Sequence, residues 1–541
     1  MATKENVEPH VFQDKEILGD KANLSHEEAM HFGVLTPEEL ETEKHLKRKI
    51  DSLIMPMVVL VYLMNYIDRN NYAAAKLQGL EDDLNLTPAQ YQLGLSILFV
   101  GYILGQVPSN LLLNHTGRPS LYLAFFTCAW GTVSALTCLC KNFAGIVACR
   151  FLLGIVEAPF FPGVLFYLSK WYTKKELNLR MSIFYSGSLI SGAFGNLIAA
   201  GILNGLGGKR GLSPWQWLYI IEGAITVCIG IAVAFVLPDF PHTWNRLTPE
   251  MKHVANRRLA IEAAEADVDD AGGMSQIKGL KLAFQDVTTY ILAIAYLATV
   301  GAAGFQNFFP TLTATLGYSR TISLLLCAPP YIFITFWALA HSVYSDKLSN
   351  RFWFFMYPIP ITIIGFVIFM ASDNFGAKYF SLFLMCFIFS MNGTTYAWIA
   401  GAIPRPPAKR AAGKSLATTF CSVPSPPLSP NTTDPPLPAF AFINSMGNSS
   451  SIWTPFTYRP QDRPHYRPAL GINIALQLIA GVCGLWLRWV LTKRNKRLER
   501  LENEDVELSE KDLARLRKTA EVEGIDLAAA RRLQKGYRYM I

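Results

Sequence analysis

Two short stretches of this chain place ionisable residues within runs that are otherwise apolar. In "YIDRNNYAAA" (residues 66–75) Asp68 and Arg69 are adjacent and directly follow an apolar run. In "CRFLLGIVEAPFFPG" (residues 149–163) Arg150 and Glu157 are seven residues apart, or two helical turns, so on a helix they share one face with Gly154. An ionisable side chain at bilayer depth costs roughly 2.5–3.5 kcal/mol. Each of these residues therefore needs a partner or a task.

The chemistry of arginine and carboxyl groups suggests such a task. The guanidinium of arginine is a planar fork of donors that suits a carboxylate and stays charged at any physiological pH. A carboxyl group in a site of low dielectric can take up and release a proton near neutral pH. We therefore predict that Asp68 carries a proton and Arg69 holds an organic anion, both facing a central cavity. Arg150 and Glu157 would complete this site.

Plainer explanations exist for each of these residues. Asp68 can be a helix-end residue in water, and Arg150 can serve only to neutralise Glu157. Glu222, in "WQWLYIIEGA", can be a structural hydrogen-bonding residue, and Asp346, in "YSDKLSNR", can anchor a loop. Residue types alone leave these alternatives open.

The elements that position these residues follow from composition. The chain has 541 residues, of which 51% are hydrophobic and 17% charged, and its mean hydropathy is positive. A soluble protein carries about a quarter charged residues. The apolar residues gather in runs of about twenty, the length that crosses a bilayer as a helix. We predict an all-α membrane protein with twelve spans, at about 52–71, 90–112, 119–140, 143–169, 180–204, 214–238, 288–310, 321–344, 352–371, 379–403, 439–458 and 469–491.

Polar stretches divide the chain. We expect an N-terminal tail (1–50), a six-helix bundle (51–238), a middle loop (239–287), a second six-helix bundle (288–491) and a charged C-terminal tail (492–541). The first apolar run starts only near Leu53, so no cleavable leader is expected.

Basic residues indicate the orientation. Lys and Arg gather before span 1, between spans 4 and 5, in the middle loop and after span 12, whereas the loop between spans 1 and 2 holds the acidic run Glu81-Asp82-Asp83. The loop between spans 11 and 12 disagrees, because it holds Arg459, Arg463 and Arg467. The positive-inside rule then predicts that both termini and the middle loop of this multi-pass protein are cytoplasmic. We expect the plasma membrane as its location, with the vacuolar membrane as the alternative. The formal charge of +8 is explained by these loops and not by nucleic-acid binding.

Several stretches resemble a known family. They are "YIDRNNYAAAKLQGLEDDLNLTPAQY", "LSILFVGYILGQVPSNLLLNHTGRPS", "RFLLGIVEAPFFPGVLFYLSKWY", "RMSIFYSGSLISGAFGNLIAAGI", "WQWLYIIEG", "PPYIF" with "YSDKLSNR", and "AFINSMGNSSSIWTPFTY". Together they resemble the anion:cation symporter branch of the major facilitator superfamily, and within it the fungal allantoate permeases and nicotinate transporters. The resemblance covers the chain from about 50 to 500.

The resemblance implies a fold and a set of site residues. The fold has two pseudo-symmetric six-helix bundles that rock about a site at the membrane midplane. Proton coupling falls to Asp68 and Glu157, and anion binding to Arg69 and Arg150. The remaining positions that the resemblance implies are the polar cavity residues Tyr66, Asn71, Tyr102, Ser188, Asn444 and Asn448, and the conformational-gating residues Arg118, Asp346 and Arg351. The partners would be a small anionic solute such as nicotinate or allantoate, a proton and the lipid bilayer, for a monomer that needs no cofactor.

The chain departs from the family at two places. In "NLLLNHTGR" the superfamily's usual glycine and aspartate are Asn110 and Asn114. Residues 413–438 form a Pro/Ser/Thr-rich insert whose dense prolines are not expected to form a helix, where relatives pass directly from "KRAA" to "AFINSMGN". The insert is either a regulatory loop or a translated intron, and sequencing the transcript decides between them.

Two other functions are compatible with this sequence. An exporter of an acidic secondary metabolite would use the same cavity, and a non-transporting nutrient receptor would signal through the charged C-terminal tail. An enzyme is not expected, because the sequence has no P-loop and no nucleophile elbow. The nine cysteines lack metal-ligand spacing, so we expect packing residues and no metal site.

Overall fold

The computed structural model describes residues 35–116, 118–241, 244, 246–267, 286–348, 350–402 and 436–502. Ten helices in these ranges are long and apolar enough to cross a membrane. The helices Pro88–Thr116 and Pro436–Trp453 bring the number to twelve. The predicted all-α membrane fold with two six-helix halves is therefore confirmed. We call spans 1–6 the first half and spans 7–12 the second half.

The first half consists of spans 1 to 6. Their bounds are Pro37–Leu77 for span 1, Pro88–Thr116 for span 2, Pro119–Leu136 for span 3, Phe143–Glu157 with Phe160–Ser169 for span 4, Lys174–Leu206 for span 5 and Pro214–Val236 for span 6. A short helix, Leu80–Asp83, lies between spans 1 and 2, and a longer one, Pro249–Asp267, follows span 6.

The second half consists of spans 7 to 12. Their bounds are Val287–Ala302 with Phe309–Ala314 for span 7, Arg320–Leu325 with Ala328–Leu348 for span 8, Arg351–Met356 with Pro358–Ala371 for span 9, Phe375–Cys386 with Met391–Ala402 for span 10, Pro436–Trp453 for span 11 and Arg467–Glu502 for span 12. Of the predicted insert at 413–438, the part before Pro436 lies outside the described residues. Residues 436–438 form the first turn of span 11, so the expectation that the insert is not helical is wrong for them.

Span 1 begins earlier than its apolar run. The sequence predicts a start near residue 52, but the helix starts at Pro37. Thr36 caps it, because its side chain accepts from the backbone N–H of Glu39 while the Glu39 carboxylate accepts from the backbone N–H of Thr36. This reciprocal capping box satisfies two helix-end donors, and proline at the first helical position adds to it. The amphipathic beginning of span 1 thus extends beyond the apolar segment.

Three spans are interrupted near their middle. Span 4 breaks after Glu157 at Ala158 and Pro159, where proline lacks the N–H that a continuous helix needs. Spans 7 and 10 pass through 3₁₀ turns, Ala303–Phe308 and Phe387–Ser390. Interrupted helices within a membrane are tolerated where they are buried or line a cavity. The breaks in these three spans adjoin the central cavity described below.

Small residues allow the spans of the first half to pack closely. A Cβ on Gly154 of span 4 would clash with the carbonyl oxygen of Leu98 in span 2. A Cβ on Gly223 of span 6 would lie 2.7 Å from the carbonyl oxygen of Gly131 in span 3. Glycine at these positions brings the helix backbones into contact, as is typical of membrane helix pairs.

The two halves touch at the end that carries the connections between spans 1 and 2, 7 and 8, and 11 and 12, here called the loop end. Gln92 of span 2 donates a hydrogen bond from Nε2 to the carbonyl oxygen of Tyr458, 2.8 Å away. Gly192 of span 5 packs under the ring of Tyr331 in span 8. These contacts join the halves on one side of the cavity.

The opposite end, here called the tail end, is where span 1 begins and span 12 ends. The helix Pro249–Asp267 docks there: Arg257 donates to the Glu39 carboxylate at 2.9 Å, and Arg258 pairs with Glu176 at 3.2 Å. Arg180 of span 5 binds the carboxylate of Asp51 in span 1 at 2.6 Å. Ion pairs thus connect the basic loop segments to spans 1 and 5.

Candidate functional site: the central cavity

A cavity of about 180 Å³ lies between the two halves. Its first wall comes from spans 1, 2, 4 and 5, and its second wall from spans 7, 10 and 11. The break in span 4 and the 3₁₀ turns of spans 7 and 10 all adjoin it. This is the arrangement that membrane transporters with interrupted helices use for a solute site.

An ion pair lies in the first wall. Nε of Arg69 in span 1 donates a hydrogen bond to Oε1 of Glu157 at the end of the first segment of span 4. The Glu157 side chain is 2% exposed and that of Arg69 is 17% exposed, and both line the cavity. The bond uses one of the five N–H donors that a guanidinium carries. The pair therefore keeps both charges compensated while leaving arginine with further donor capacity.

Two tyrosines hold the Arg69 guanidinium in place. Its Cζ lies 5.3 Å from the ring centre of Tyr66 and 4.7 Å from that of Tyr102. A cation over an aromatic face gains about 0.5–2 kcal/mol, more when water is excluded. Tyr66 and Tyr102, both predicted for this cavity, line it together with Arg69. They orient the cation without neutralising it.

Asp68 points away from the cavity, against expectation. Its Oδ1 accepts from Ser134 Oγ at 2.8 Å and its Oδ2 from Thr226 Oγ1 at 3.0 Å. Only 1% of Asp68 is exposed, and it is not among the residues that line the cavity. Successive residues on an α-helix diverge by about 100°. Because Arg69 faces the cavity, Asp68 has to face spans 3 and 6, and the expectation that both face one chamber is wrong.

Arg150 also lies outside the cavity. It shares the buried face of span 4 with Gly154 and Glu157, as predicted from their spacing. Its guanidinium, however, stacks on the ring of Tyr72 at 4.1 Å, and Nη2 donates to the Tyr219 hydroxyl at 3.2 Å. Two helical turns separate it from Glu157, so it braces spans 1, 4 and 6 at a different depth. The expectation that four charged groups meet in one chamber is therefore wrong for Arg150 as well as for Asp68.

Of the other polar positions implied by the resemblance, some line the cavity and one does not. Ser188 of span 5 and Asn444 and Asn448 of span 11 line the cavity, as expected. Asn71 does not line it; it is 2% exposed and neighbours Glu222 of span 6. Asn71 thus belongs to the polar cluster around Asp68.

The predicted gating residues lie at the tail end. Arg351 begins span 9, is buried and donates from Nη1 to Ser345 Oγ at 2.8 Å. Arg118 precedes span 3 and is exposed. The side chains of Asp346, Asn110 and Asn114 lie outside the described part of the chain.

Sequence reasoning missed most of the second wall. The amides of Gln306, Asn307 and Asn392 line the cavity from spans 7 and 10. The hydroxyls of Tyr296 and Tyr396, joined by a hydrogen bond, lie beside them. A signal was present in "GFQNFFP", where two amides precede a proline inside an apolar run. An uncharged amide costs less free energy in a membrane than a charged group does. Its presence in an apolar run is therefore a weaker indication of a functional residue.

The fold agrees with comparisons to known proteins. Residues 58–426 match the profile of the Major Facilitator Superfamily, and the chain belongs to that superfamily. It is 31% identical to the MFS-type transporter cnsO of Penicillium expansum, over 86% of this chain and 87% of that protein. It is 32% identical to the uncharacterized transporter C1039.04 of Schizosaccharomyces pombe, over 80% of each. The protein is thus a multi-pass membrane transporter.

Solved structures share the fold at low identity. A bacterial homologue of the human lysosomal transporter Spinster, in an inward-facing and occupied conformation, superimposes with a TM-score of 0.57 at 14% identity, over 82% of this chain and 97% of that one. The proton:xylose symporter XylE bound to 6-bromo-6-deoxy-D-glucose gives a TM-score of 0.54, also at 14% identity, over 82% and 96% of the two chains.

Proposed function

We propose that this transporter imports a small organic carboxylate together with a proton, as expected of the anion:cation symporter branch. The observation that supports this most strongly is the ion pair between Arg69 and Glu157 in the wall of the cavity. A cation held by aromatic rings and compensated by a single acid can exchange that acid for a substrate carboxylate.

The exchange explains why anion and proton travel together. When a carboxylate binds Arg69, Glu157 loses its partner, and an unpaired buried charge is strongly unfavourable. A proton on Glu157 removes that charge. The cavity then has the same net charge before and after both ligands bind. Each ligand thus promotes binding of the other by linkage.

In this proposal Asp68 and Arg150 act from outside the cavity, behind its first wall. Asp68, held by Ser134 and Thr226, is a second proton-binding group in contact with spans 3 and 6. Arg150 ties span 4 to Tyr72 of span 1 and Tyr219 of span 6. It holds span 4 so that Glu157 stays within hydrogen-bonding distance of Arg69, and it does not touch the solute.

The halves would rock about the cavity. The contacts at the loop end open while Arg118, Asp346 and Arg351 help to close the tail end. We propose that the tail end is cytoplasmic, that the protein works as a monomer in the plasma membrane, and that uptake starts from the loop end.

A liposome assay tests this proposal with a panel of candidate solutes. The full chain is reconstituted into liposomes that contain a pH-sensitive dye, and nicotinate, allantoate and other carboxylates are added outside one at a time. We expect at least one of them to acidify the lumen faster than in protein-free liposomes, which control for leakage of the free acids. Arg69→Met and Glu157→Gln should abolish the difference, whereas the exposed Arg459→Met should retain it.

Two results would count against the proposal. Acidification that is equally fast with Arg69→Met would show that the arginine does not bind the anion. Solute entry without acidification, measured by mass spectrometry of the lumen, would show that transport is not coupled to protons. Preloaded liposomes in the same assay report efflux, which an exporter would favour.

A further inference from the structure

Two thiols meet where the chain passes from span 3 to span 4. Sγ of Cys140, directly after the 3₁₀ turn Thr137–Leu139, donates a hydrogen bond to Sγ of Cys149 in span 4, 3.6 Å away. The two residues are nine positions apart in the chain, and both are free thiols. A disulfide joins sulfurs that are about 2.05 Å apart, so these two atoms are only about 1.5 Å further apart than a disulfide requires.

Hydrogen bonds hold the backbone on both sides of this connection. Gln216 of span 6 donates from Nε2 to the carbonyl oxygen of Cys138, 2.9 Å away, and so fixes the turn that precedes Cys140. Asn142 caps span 4, because its Oδ1 accepts from the backbone N–H of Gly145 at 2.9 Å. The backbone thus keeps the two thiols in contact with no long loop between them.

The two thiols differ in exposure. Cys140 is 9% exposed, and a Cβ on Gly145 would lie 3.5 Å from its Sγ, whereas Cys149 is half-buried. Oxidation by peroxide follows the exposure of a thiol, and a second cysteine beside it can resolve the product to a disulfide. A small uncharged oxidant therefore reaches Cys149 first, with Cys140 in position to react next.

We propose that Cys140 and Cys149 are a redox-responsive pair that hydrogen peroxide converts to a disulfide. The thiolate of Cys149 attacks one peroxide oxygen and breaks the O–O bond, which leaves a sulfenic acid and, with the thiol proton, one water. The thiolate of Cys140 then attacks the Cys149 sulfur. The S–S bond forms as the S–OH bond breaks, and the second thiol proton completes another water. Two thiols lose two electrons and two protons, and one peroxide is reduced to two waters.

The disulfide fixes a helix segment that carries two of the buried charges. Cys149 lies in the segment Phe143–Glu157, directly before Arg150, and Glu157 ends that segment. The cross-link ties this segment to the turn after span 3. A disulfide stabilises a protein mainly by restricting its unfolded state, so oxidation should raise the melting temperature. This role goes beyond the proposed function, since neither thiol lines the cavity and no solute takes part.

Digestion with trypsin reports the cross-link in the wild type. Lys141 lies between the two cysteines and Arg150 follows the second, so trypsin releases residues 142–150 as a separate peptide whose one cysteine is Cys149. The purified full chain is reduced, treated with hydrogen peroxide, alkylated at its remaining thiols, digested and analysed by mass spectrometry. We expect residues 142–150 joined to the peptide that ends at Lys141, with the mass of two hydrogens lost. Dithiothreitol should separate the two peptides again.

Single variants identify the linked pair. Cys140→Ser and Cys149→Ser should lose the joined peptides. Cys138→Ser is the matched control, because it removes a half-buried thiol from the same tryptic peptide as Cys140, and it should keep them. Peroxide should raise the melting temperature of the wild type and of Cys138→Ser by a few degrees and leave that of Cys149→Ser unchanged.

Three results would overturn the redox pair. The first is oxidised wild type in which residues 142–150 are not joined to any peptide. The second is a link to these residues that persists in Cys140→Ser and is lost in Cys138→Ser. The third is peroxide that leaves Cys149 as a sulfinic or sulfonic acid without a cross-link. A melting temperature that stays the same after cross-linking would overturn the stabilising role of the disulfide.

Discussion

Asp68 and Arg69 are neighbours in the chain, but their side chains leave span 1 in different directions. Arg69 enters the cavity and pairs with Glu157, whereas Asp68 accepts hydrogen bonds from Ser134 and Thr226 on spans 3 and 6. One turn of helix therefore supplies a cation to the wall of the cavity and, behind that wall, a buried acid. The two residues should respond differently to mutation.

Asp68→Asn should change proton coupling and leave anion binding intact. The asparagine keeps the size of the side chain and one oxygen for Ser134 or Thr226, but it cannot take up a proton. We expect anion affinity within about twofold of the wild type, because Asp68 does not line the cavity. Proton-driven uptake should fall about tenfold or more. The two quantities are measured by ligand-induced thermal stabilisation and by the liposome assay. A loss of anion affinity as large as that of Arg69→Met would contradict this assignment.

Part of this arrangement can be predicted from the sequence. Apolar runs locate the spans, because each run matches the thickness of a bilayer. The spacing of Arg150, Gly154 and Glu157 places them on one buried face, as found. The rotation of span 1 cannot be read from an adjacent acid and base, since either can face the cavity. The helix breaks at Ala303–Phe308 and Phe387–Ser390 depend on tertiary packing, so the amides that they bring to the second wall, Gln306, Asn307 and Asn392, were missed.

Gly154→Ala should destabilise the first half. Its new Cβ would clash with the carbonyl oxygen of Leu98, and backbone atoms cannot move aside as a flexible side chain can. Overpacking of this kind costs about 1–3 kcal/mol. We expect a lower melting temperature and a lower yield of folded protein in detergent. Gly201→Ala on span 5 is the matched control, because nothing lies within 4 Å of its Cβ position. Equal melting temperatures for the two variants would show that spans 2 and 4 are not packed this closely.

Glu176 should make stability depend on pH at the tail end, outside the membrane, because it precedes the apolar part of its helix, Ile183–Leu206. Burial tends to raise the pKa of Glu176, but Arg258 and Lys47 outweigh burial, so its pKa is lowered from the ordinary value. A carboxyl with a lowered pKa in the folded state stabilises the fold above its unfolded pKa, and this contribution is lost as the pH falls through the folded pKa.

Glu176→Gln tests that dependence. We expect the variant to melt below the wild type at neutral pH, with the difference shrinking as the pH falls below the ordinary glutamate pKa of 4.5. Glu250→Gln, at an exposed site, is the control and should follow the wild type throughout. A gap between Glu176→Gln and wild type that stays constant with pH would argue against the ion pairs with Arg258 and Lys47.

Gln92→Ala should loosen the contact between the halves at the loop end. Gln92 donates to the carbonyl oxygen of Tyr458, and losing one such bond is worth about 0.5–1.5 kcal/mol, or about two- to tenfold in population. In a variant whose single cysteine replaces Ser188, maleimide added at the loop end should react faster by that factor. Gln90→Ala is the control, since the hydrogen bonds of Gln90 within the described residues are to Thr87 of its own helix end. An unchanged labelling rate would mean that Gln92 does not hold the halves together.

Proton uptake on anion binding tests the exchange between Arg69 and Glu157 most directly. Calorimetric titration of the full chain with a binding carboxylate, repeated in buffers of different ionisation enthalpy, counts the protons bound with the anion. The exchange predicts about one proton per anion for the wild type and about none for Glu157→Gln, which should still bind the anion. Binding without proton uptake in the wild type, or the same uptake in Glu157→Gln, would contradict the coupling proposed here.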